Sequence, residues 1–446
     1  MSAHVPRPPR VRRARPAATL AALGAMLTLG ACGSSASTHT ATVGTHTTAT
    51  AAERASTAGT PPSCAATVMR TLGRVVEHVY HEGISSERTV IARRTLESSS
   101  ALRAAARSGD SAAVRAAAAQ LLASGRITAL RVSVGGRTLA DLGKASLTPL
   151  HGTLAGAQGT PTASYITSIW SDEGFVAEAS GVIEGHVALS ENGRLLPGSF
   201  PLGHEHLADS GTLTRAGVSY LYTSFSGEAL PSGSVRIYLL RPASSAGELC
   251  GRDSEGTVIA TLEHVAHLIY EEEHGPPAWR QVTRMQHNSA LLAAVAARNR
   301  AATDAAVKAL LNEHVVRLRV LAPGGELLSD VGGPYVLAPV RAPLALGGRR
   351  IRSFVLSVQD DEGYEKLLKR LEGLDVVIYM GSKIVKDSLG PVSGEIPASG
   401  PYTYNGRPFR VFTVYAKAFP SGPLVIRVLV PVPYLCLLYT SDAADE

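Results

Sequence analysis

Three groups of residues in this chain have the types and spacing to do chemistry. The first is histidine with carboxylate. In "EHVAHLIYE", His264, His267 and Glu271 fall on one face of a helix, as a metal site would require. A solvated helix face explains the same residues more simply. The loop cluster "GHEHLAD", with His204, Glu205 and His206, is equally weak. Neither a metal nor a cofactor is expected. The second group is paired carboxylates. Asp172 and Glu173 in "SDEGF", and Asp361 and Glu362 in "DDEGY", which ends on Tyr364, stand where a strand gives way to a short helix. Carboxylates there suit helix N-capping, because they accept backbone N–H bonds at the positive end of the dipole. The third group is arginine. Arg349, Arg350 and Arg352 flank the strand "RSFVLSV", where guanidinium groups could bind an anion bidentately. A charged strand that discourages pairing with other chains accounts for them as well. Tyr402, Tyr404 and Tyr415 fit either a pocket wall or a sheet. There is no nucleophile elbow, phosphate loop or zinc-spaced cysteine pair, so the chain is not expected to be an enzyme.

The elements that must position these residues occur twice. "TLGRVVEHVYHE" from Thr71 returns as "TLEHVAHLIYEE" from Thr261, 190 residues on. "GGRTLADLG" from Gly135, "SDEGF" from Ser171 and "LPSG" from Leu230 return as "GGELLSDVG", "DDEGY" and "FPSG", each 189 residues on. A spacing kept through loops as well as elements marks a tandem repeat. In each copy a long amphipathic helix with apolar residues at Val68, Leu72, Val75, Val76 and Val79 or their counterparts comes first. A second, Ala- and Leu-rich helix follows. Alternating strands come next, with hairpins at "GG" and "PGG", a short crossing helix and a final hairpin. This order predicts an α+β fold of two tandem domains, each a long N-terminal helical hairpin followed by a mainly antiparallel sheet.

The N-terminus concerns the compartment. Arg7, Arg10, Arg12, Arg13 and Arg15 precede an apolar run from Ala17 to Leu29 of signal-peptide length. Leu29, Gly30, Ala31 and Cys32 resemble the bacterial lipobox, which implies lipidation of Cys32. A Thr-, Ala- and Ser-rich stretch without apolar periodicity follows and is expected to be a disordered tether. The expected organisation is a lipoprotein signal peptide over 1–31, the tether over 32–62, and domains over 63–245 and 246–432. Outside the membrane thiols oxidise, and Cys64 and Cys250, each just before the first helix of a copy, form a candidate disulfide. The formal net charge of +6 is partly the leader's arginines. Neither sign dominates the remainder, which excludes an obvious nucleic-acid partner.

The order of elements, with "LRVLAPGGELLSDVG" and "GYEKLLKRLEGLDVVIYMGSKIVKDSL", resembles the Cache superfamily of extracytoplasmic sensor domains, in which a PAS-like sheet stands behind a long helix. One helix per copy makes the chain resemble two single Cache units in series. The resemblance implies a small-solute pocket, for an amino acid or carboxylate, between the sheet and the strand-to-helix segment. It would be lined by Asp361, Glu362, Tyr364, Arg352, Tyr402, Asp172 and Glu173. It also implies a sensory protein at the outer face of the cytoplasmic membrane, held to the bilayer by a diacylglyceryl cysteine, with a membrane receptor or envelope protein as partner. The alternative is a structural or protein-interaction module of the envelope without a small ligand. The last residues, 433–446, are expected to be artefactual and to lie outside the second domain. From about Leu435 their reverse translation resembles a sequencing-library adapter.

Overall fold

Apolar residues recurring every three or four positions make the first helix, α1 (Cys64–Ser85), amphipathic, and Ser63 caps it by accepting from Ala66 N at 3.3 Å. The computed structural model describes residues 63–155, 161–191, 194–196, 200, 207–230, 233–272, 274–311, 315–392 and 394–440. The expected signal peptide and tether, with Cys32, and the cluster His204, Glu205 and His206 lie outside the described residues.

After α1 come α2 (Glu87–Ser98), α3 (Ser100–Ser108) and α4 (Ser111–Ala123). The Ala-rich stretch expected as one helix is therefore two. Gly109 adopts a left-handed φ of 69° that ends α3, and Asp110 Oδ1 accepts from Ala112 N at 2.8 Å to start α4. The strands are β1 (Ala129–Val134), β2 (Arg137–Gly143), β3 (Ser146–Leu147), β4 (Leu150–Ala155), β5 (Pro161–Ser168) and β6 (Trp170–Ser171). Then follow α5 (Asp172–Ile183), β7 (His186–Glu191), β8 (Arg194–Leu195), β9 (Ser210–Arg215), β10 (Val218–Leu230), β11 (Gly233–Pro242) and α6 (Ala243–Gly247).

Copy two repeats the series. Its helices are α7 (Ser254–Glu272), α8 (Pro276–Gln286), α9 (Ser289–Ala296) and α10 (Arg300–Leu310). The break between α9 and α10 falls at Arg298, φ 55°, the counterpart of Gly109, with Asn299 as the cap. Next are β12 (Arg317–Leu321), β13 (Leu327–Gly332), β14 (Val336–Leu337), β15 (Val340–Leu346), β16 (Arg349–Ser357), β17 (Gln359–Asp360) and α11 (Asp361–Glu372). The chain ends in β18 (Asp375–Met380), β19 (Lys383–Asp387), β20 (Gly400–Tyr404), β21 (Arg407–Lys417), β22 (Pro423–Pro431) and α12 (Val432–Thr440).

The fold is α+β and antiparallel throughout, but each copy holds two main sheets rather than one. In copy one these run β2-β1-β5-β4 and β8-β7-β11-β10-β9, with β3 and β6 continuing from the far end of β10. In copy two they run β13-β12-β16-β15 and β19-β18-β22-β21-β20, with β14 and β17 as a separate pair. The two units in series thus each carry their strands in two main sheets. Alternation marked the strands in the sequence, but it carries no information on which hairpins share a sheet. Each first sheet packs one face on its own short helices, around Leu130, Val132 and Tyr165 in copy one and Leu318, Val320 and Phe354 in copy two.

The second sheets do not have separate cores. Val68, Leu72, Val75 and Val79 of α1 and Val258, Leu262 and Val265 of α7 lie in one buried cluster with Phe175 of α5, Tyr364 of α11 and the inner faces of both second sheets. Covalent and polar ties also join the copies. Cys64 and Cys250 are disulfide-bonded with Cα atoms 5.7 Å apart. Arg370 Nη2 donates to Glu178 Oε1 at 2.6 Å, and His264 Nε2 lies 2.8 Å from Glu184 Oε2. The segment after Pro431, expected outside the second domain, packs on it instead. α12 follows β22 as α6 follows β11, 189 residues earlier, and it buries Leu435 where α6 buries Ala246. The apolar run "YLCLL" supplies the packing face. No helix among the described residues is long and apolar enough to cross a membrane.

Candidate functional site

A cleft of about 730 Å³ opens in copy one, between the free face of the first sheet and the end of β10. That volume suits a small organic solute. The helices α2 to α4 take the other face of the sheet, so Arg131 on β1, His151 on β4 and Ile166 on β5 point into the cleft. The last turns of α1 supply Tyr80, His81 and Ile84. Gly227, Glu228, Ala229 and Leu230 of β10 make the opposite wall.

The buried Tyr80 hydroxyl holds that wall in place. It accepts from Glu228 N at 2.6 Å and lies 3.4 Å from Glu228 O, which also accepts from Thr148 N at 3.0 Å, so the backbone of that residue is satisfied. A Cβ at Gly227 would stand 2.9 Å from the Tyr80 ring, so only glycine lets the strand lie on the tyrosine. Burial pushes the Tyr80 hydroxyl above the ordinary tyrosine range, so it remains a neutral donor. Copy two repeats the device: Tyr270 Oη accepts from Lys417 N at 2.8 Å.

Arg131 is not a free cation. Its Nε and Nη2 donate to Asp141 Oδ2 at 3.1 and 2.7 Å. With Glu228 on the other wall and His81 and His151 also lining it, the cleft carries charges of both signs beside the apolar side chains of Pro149, Ile166 and Leu230. Such a surface suits a zwitterion or a neutral polar solute better than a polyanion.

None of the residues singled out in the sequence lines this cleft; three of them, His264, His267 and Tyr415, line a separate pocket of about 400 Å³ between α7 and β21. At the starts of α5 and α11 the caps are Ser171, whose Oγ accepts from Gly174 N at 3.1 Å, and Asp360, whose Oδ1 accepts from Gly363 N at 2.7 Å. Asp172, Glu173, Asp361 and Glu362 occupy the first turns instead, one and two residues further in than the capping position. Burial, with the charge of Glu173, pushes the Asp172 carboxyl up to about 6, and burial raises that of Asp361. Tyr364 lies in the shared core, its hydroxyl donating to Ala266 O at 2.9 Å. Arg352 is buried and donates to its neighbour's carbonyl, Ile351 O, at 2.5 Å, while Arg349 and Arg350 are exposed at the β15–β16 turn. Tyr402 sits on β20 over the outer face of the last sheet, with Tyr404 nearby, and Tyr415 is 70% exposed. His267 Nε2 and Glu271 Oε1 stand 3.8 Å apart, but His264 turns away to Glu184. No group of three metal-ligating side chains is assembled among the described residues.

The cleft residues were missed because each is unremarkable alone. One signal for them exists: Arg131 and Asp141 recur as Arg319 and Asp330, and the second pair is again an ion pair, at 2.5 Å.

No protein-family model matches the chain, and no curated protein matches it. Among solved structures it is similar to the ligand-binding domain of the Pseudomonas fluorescens chemoreceptor CtaA in complex with L-isoleucine, at 15% identity over 41% of this chain and 95% of that one, with a TM-score of 0.27. The same domain in complex with L-alanine gives 15% identity, 38% and 94% coverage, and a TM-score of 0.23. An extracellular ligand binding receptor from Desulfohalobium retbaense DSM5692 gives 10% identity, 49% of this chain and 47% of that one, and a TM-score of 0.25.

Proposed function

We propose that the protein is a non-enzymatic, extracytoplasmic sensory lipoprotein that binds a small solute in the cleft of copy one. The cleft carries this reading: its volume, apolar lining and charges of both signs are those of a binding site for a small polar molecule. The disulfide between Cys64 and Cys250 supports an oxidising compartment, and the leader ending in Cys32 supports a diacylglyceryl anchor at the outer face of the cytoplasmic membrane. Solute binding would shift the packing of α1, which runs from the cleft into the shared core, and so alter the surface offered to a membrane receptor or envelope protein.

A thermal-shift screen of amino acids and carboxylates tests the reading, with L-isoleucine and L-alanine included because the CtaA domain is bound to them. A ligand that binds only the folded state raises the midpoint, by about 2.7 kcal/mol of added stability at a hundred times its Kd. At least one solute should raise the midpoint of the wild type and fail to do so in Arg131→Met. Flat melting across the whole screen would leave the envelope-module alternative as the better account.

A further inference from the structure

The second copy repeats the elements that form this cleft but packs them together at the equivalent place. Strand registers fix the correspondence residue by residue. Arg131 pairs across to Ile166 in copy one, and Arg319 pairs across to Val355 in copy two. Leu230 pairs with Ser146, and Phe419 N donates to Val336 O at 3.0 Å at the equivalent place. Leu230 and Phe419 are the variable first positions of the "LPSG" and "FPSG" repeats.

The extra ring changes the space. Phe419 is 6% exposed and packs on Val336 and Val355 with Val316 and Leu321 beside them. The guanidinium carbons of Arg317 and Arg319 stand 4.9 and 5.6 Å from its ring centroid. Both arginines are held there by Asp330, at 2.8 and 2.5 Å. Arg317 has no equivalent in copy one, where the position is Ala129. Val355 is consequently 1% exposed, whereas its counterpart Ile166 is half-buried and lines the cleft. The ring is a wedge, and the two arginines clasp it from above.

We propose that Phe419 closes in copy two the binding cleft that Leu230 leaves open in copy one, so that the protein has one working site and one latent one. That the open cleft is the working site rests on the reading above; the closure itself does not, and it is tested without any solute. Single cysteines are placed at the paired positions, Ile166→Cys and Val355→Cys, and their rates of reaction with a small methanethiosulfonate are compared in the otherwise intact, disulfide-bonded chain. The Ile166→Cys thiol should react at least tenfold faster than that of Val355→Cys, and adding Phe419→Leu should raise the Val355→Cys rate at least tenfold. Val76→Cys, in the shared core, reports whether a variant remains folded, since it should stay unreactive. If Phe419→Leu does not fold, the reciprocal change decides: Leu230→Phe should slow labelling of Ile166→Cys at least tenfold. A smaller ratio between the paired positions, or a smaller change in the deciding variant, overturns the proposal. Flat melting in the solute screen together with these labelling ratios would remove the assigned ligand and leave the closure standing.

Discussion

Glu372 closes α11 with its side chain 1% exposed and both carboxyl oxygens buried without a hydrogen-bond partner. Tyr434 of α12 is close enough for the carboxylate charge, after burial, to help push its hydroxyl up to about 12, and His78 of α1 approaches the neighbouring Gly373. Burial holds the Glu372 carboxyl well above the ordinary glutamate range. In the unfolded chain the same group ionises at about 4.3, so above that pH the folded state carries a proton that the unfolded state has lost. Stability must then fall as pH rises, by about 1.4 kcal/mol per unit, until the folded carboxyl itself ionises; below about pH 4 this contribution is fully present. Glu372→Met removes the titration and the unpaired oxygens with little change in volume. An unfolding entropy of about 2.1 cal/mol/K per residue over the roughly 355 described residues makes 1.4 kcal/mol worth about 2 °C in Tm. For each pH unit above about 5 over which the folded carboxyl keeps its proton, the wild-type midpoint should therefore drop by about 2 °C relative to the variant. A smaller offset should persist at pH 4, because the protonated acid still lacks partners there, at about 1–3 kcal/mol. Melting both proteins by circular dichroism at several pH values gives the difference curve. Parallel profiles would refute the reasoning, since they would mean that Glu372 titrates alike in both states.

Two further outcomes follow from other parts of the fold. The Cys64–Cys250 bond joins residues 186 apart, so replacing both by serine should cost about 2–5 kcal/mol, and reductant should lower the wild-type Tm without affecting the variant's response at these positions. Tyr270→Phe leaves Lys417 N without its 2.8 Å acceptor and should cost about 1–3 kcal/mol in denaturant melts, with faster hydrogen exchange at that amide.

The sequence disclosed the architecture better than the site. The 189-residue spacing made two equivalent units visible, and the apolar stripe of α1 appears in the structure as the buried positions Val68 to Val79. Tyr80 and Tyr270 stood out as a repeated pair, but the backbone of Glu228 and Lys417 that they satisfy is 147 or more residues away in the chain and has no pattern to announce it. The division into two sheets per copy depends on long-range pairings such as Ala229 with Leu147. The cleft collects residues from α1, β1, β4, β5 and β10, each of an ordinary type, and only three-dimensional convergence distinguishes them. Charged pairs at strand-to-helix junctions attracted notice because helix starts have a strong local signature, and that signature reports capping chemistry wherever a helix begins.

The shared core has one more implication. α1 meets both α7 and α11, while α7 meets both α1 and α5, so each copy offers the other the same elements in exchange. That reciprocity is the signature of a two-fold dimer, here written on a single chain. A homodimer of identical subunits must accept every substitution twice. Here the two halves can differ: one has leucine in the wall of its cleft and the other has phenylalanine at the equivalent position, while the helices between them remain matched. The fold thus has the stability of a symmetric pair and the freedom to specialise its halves.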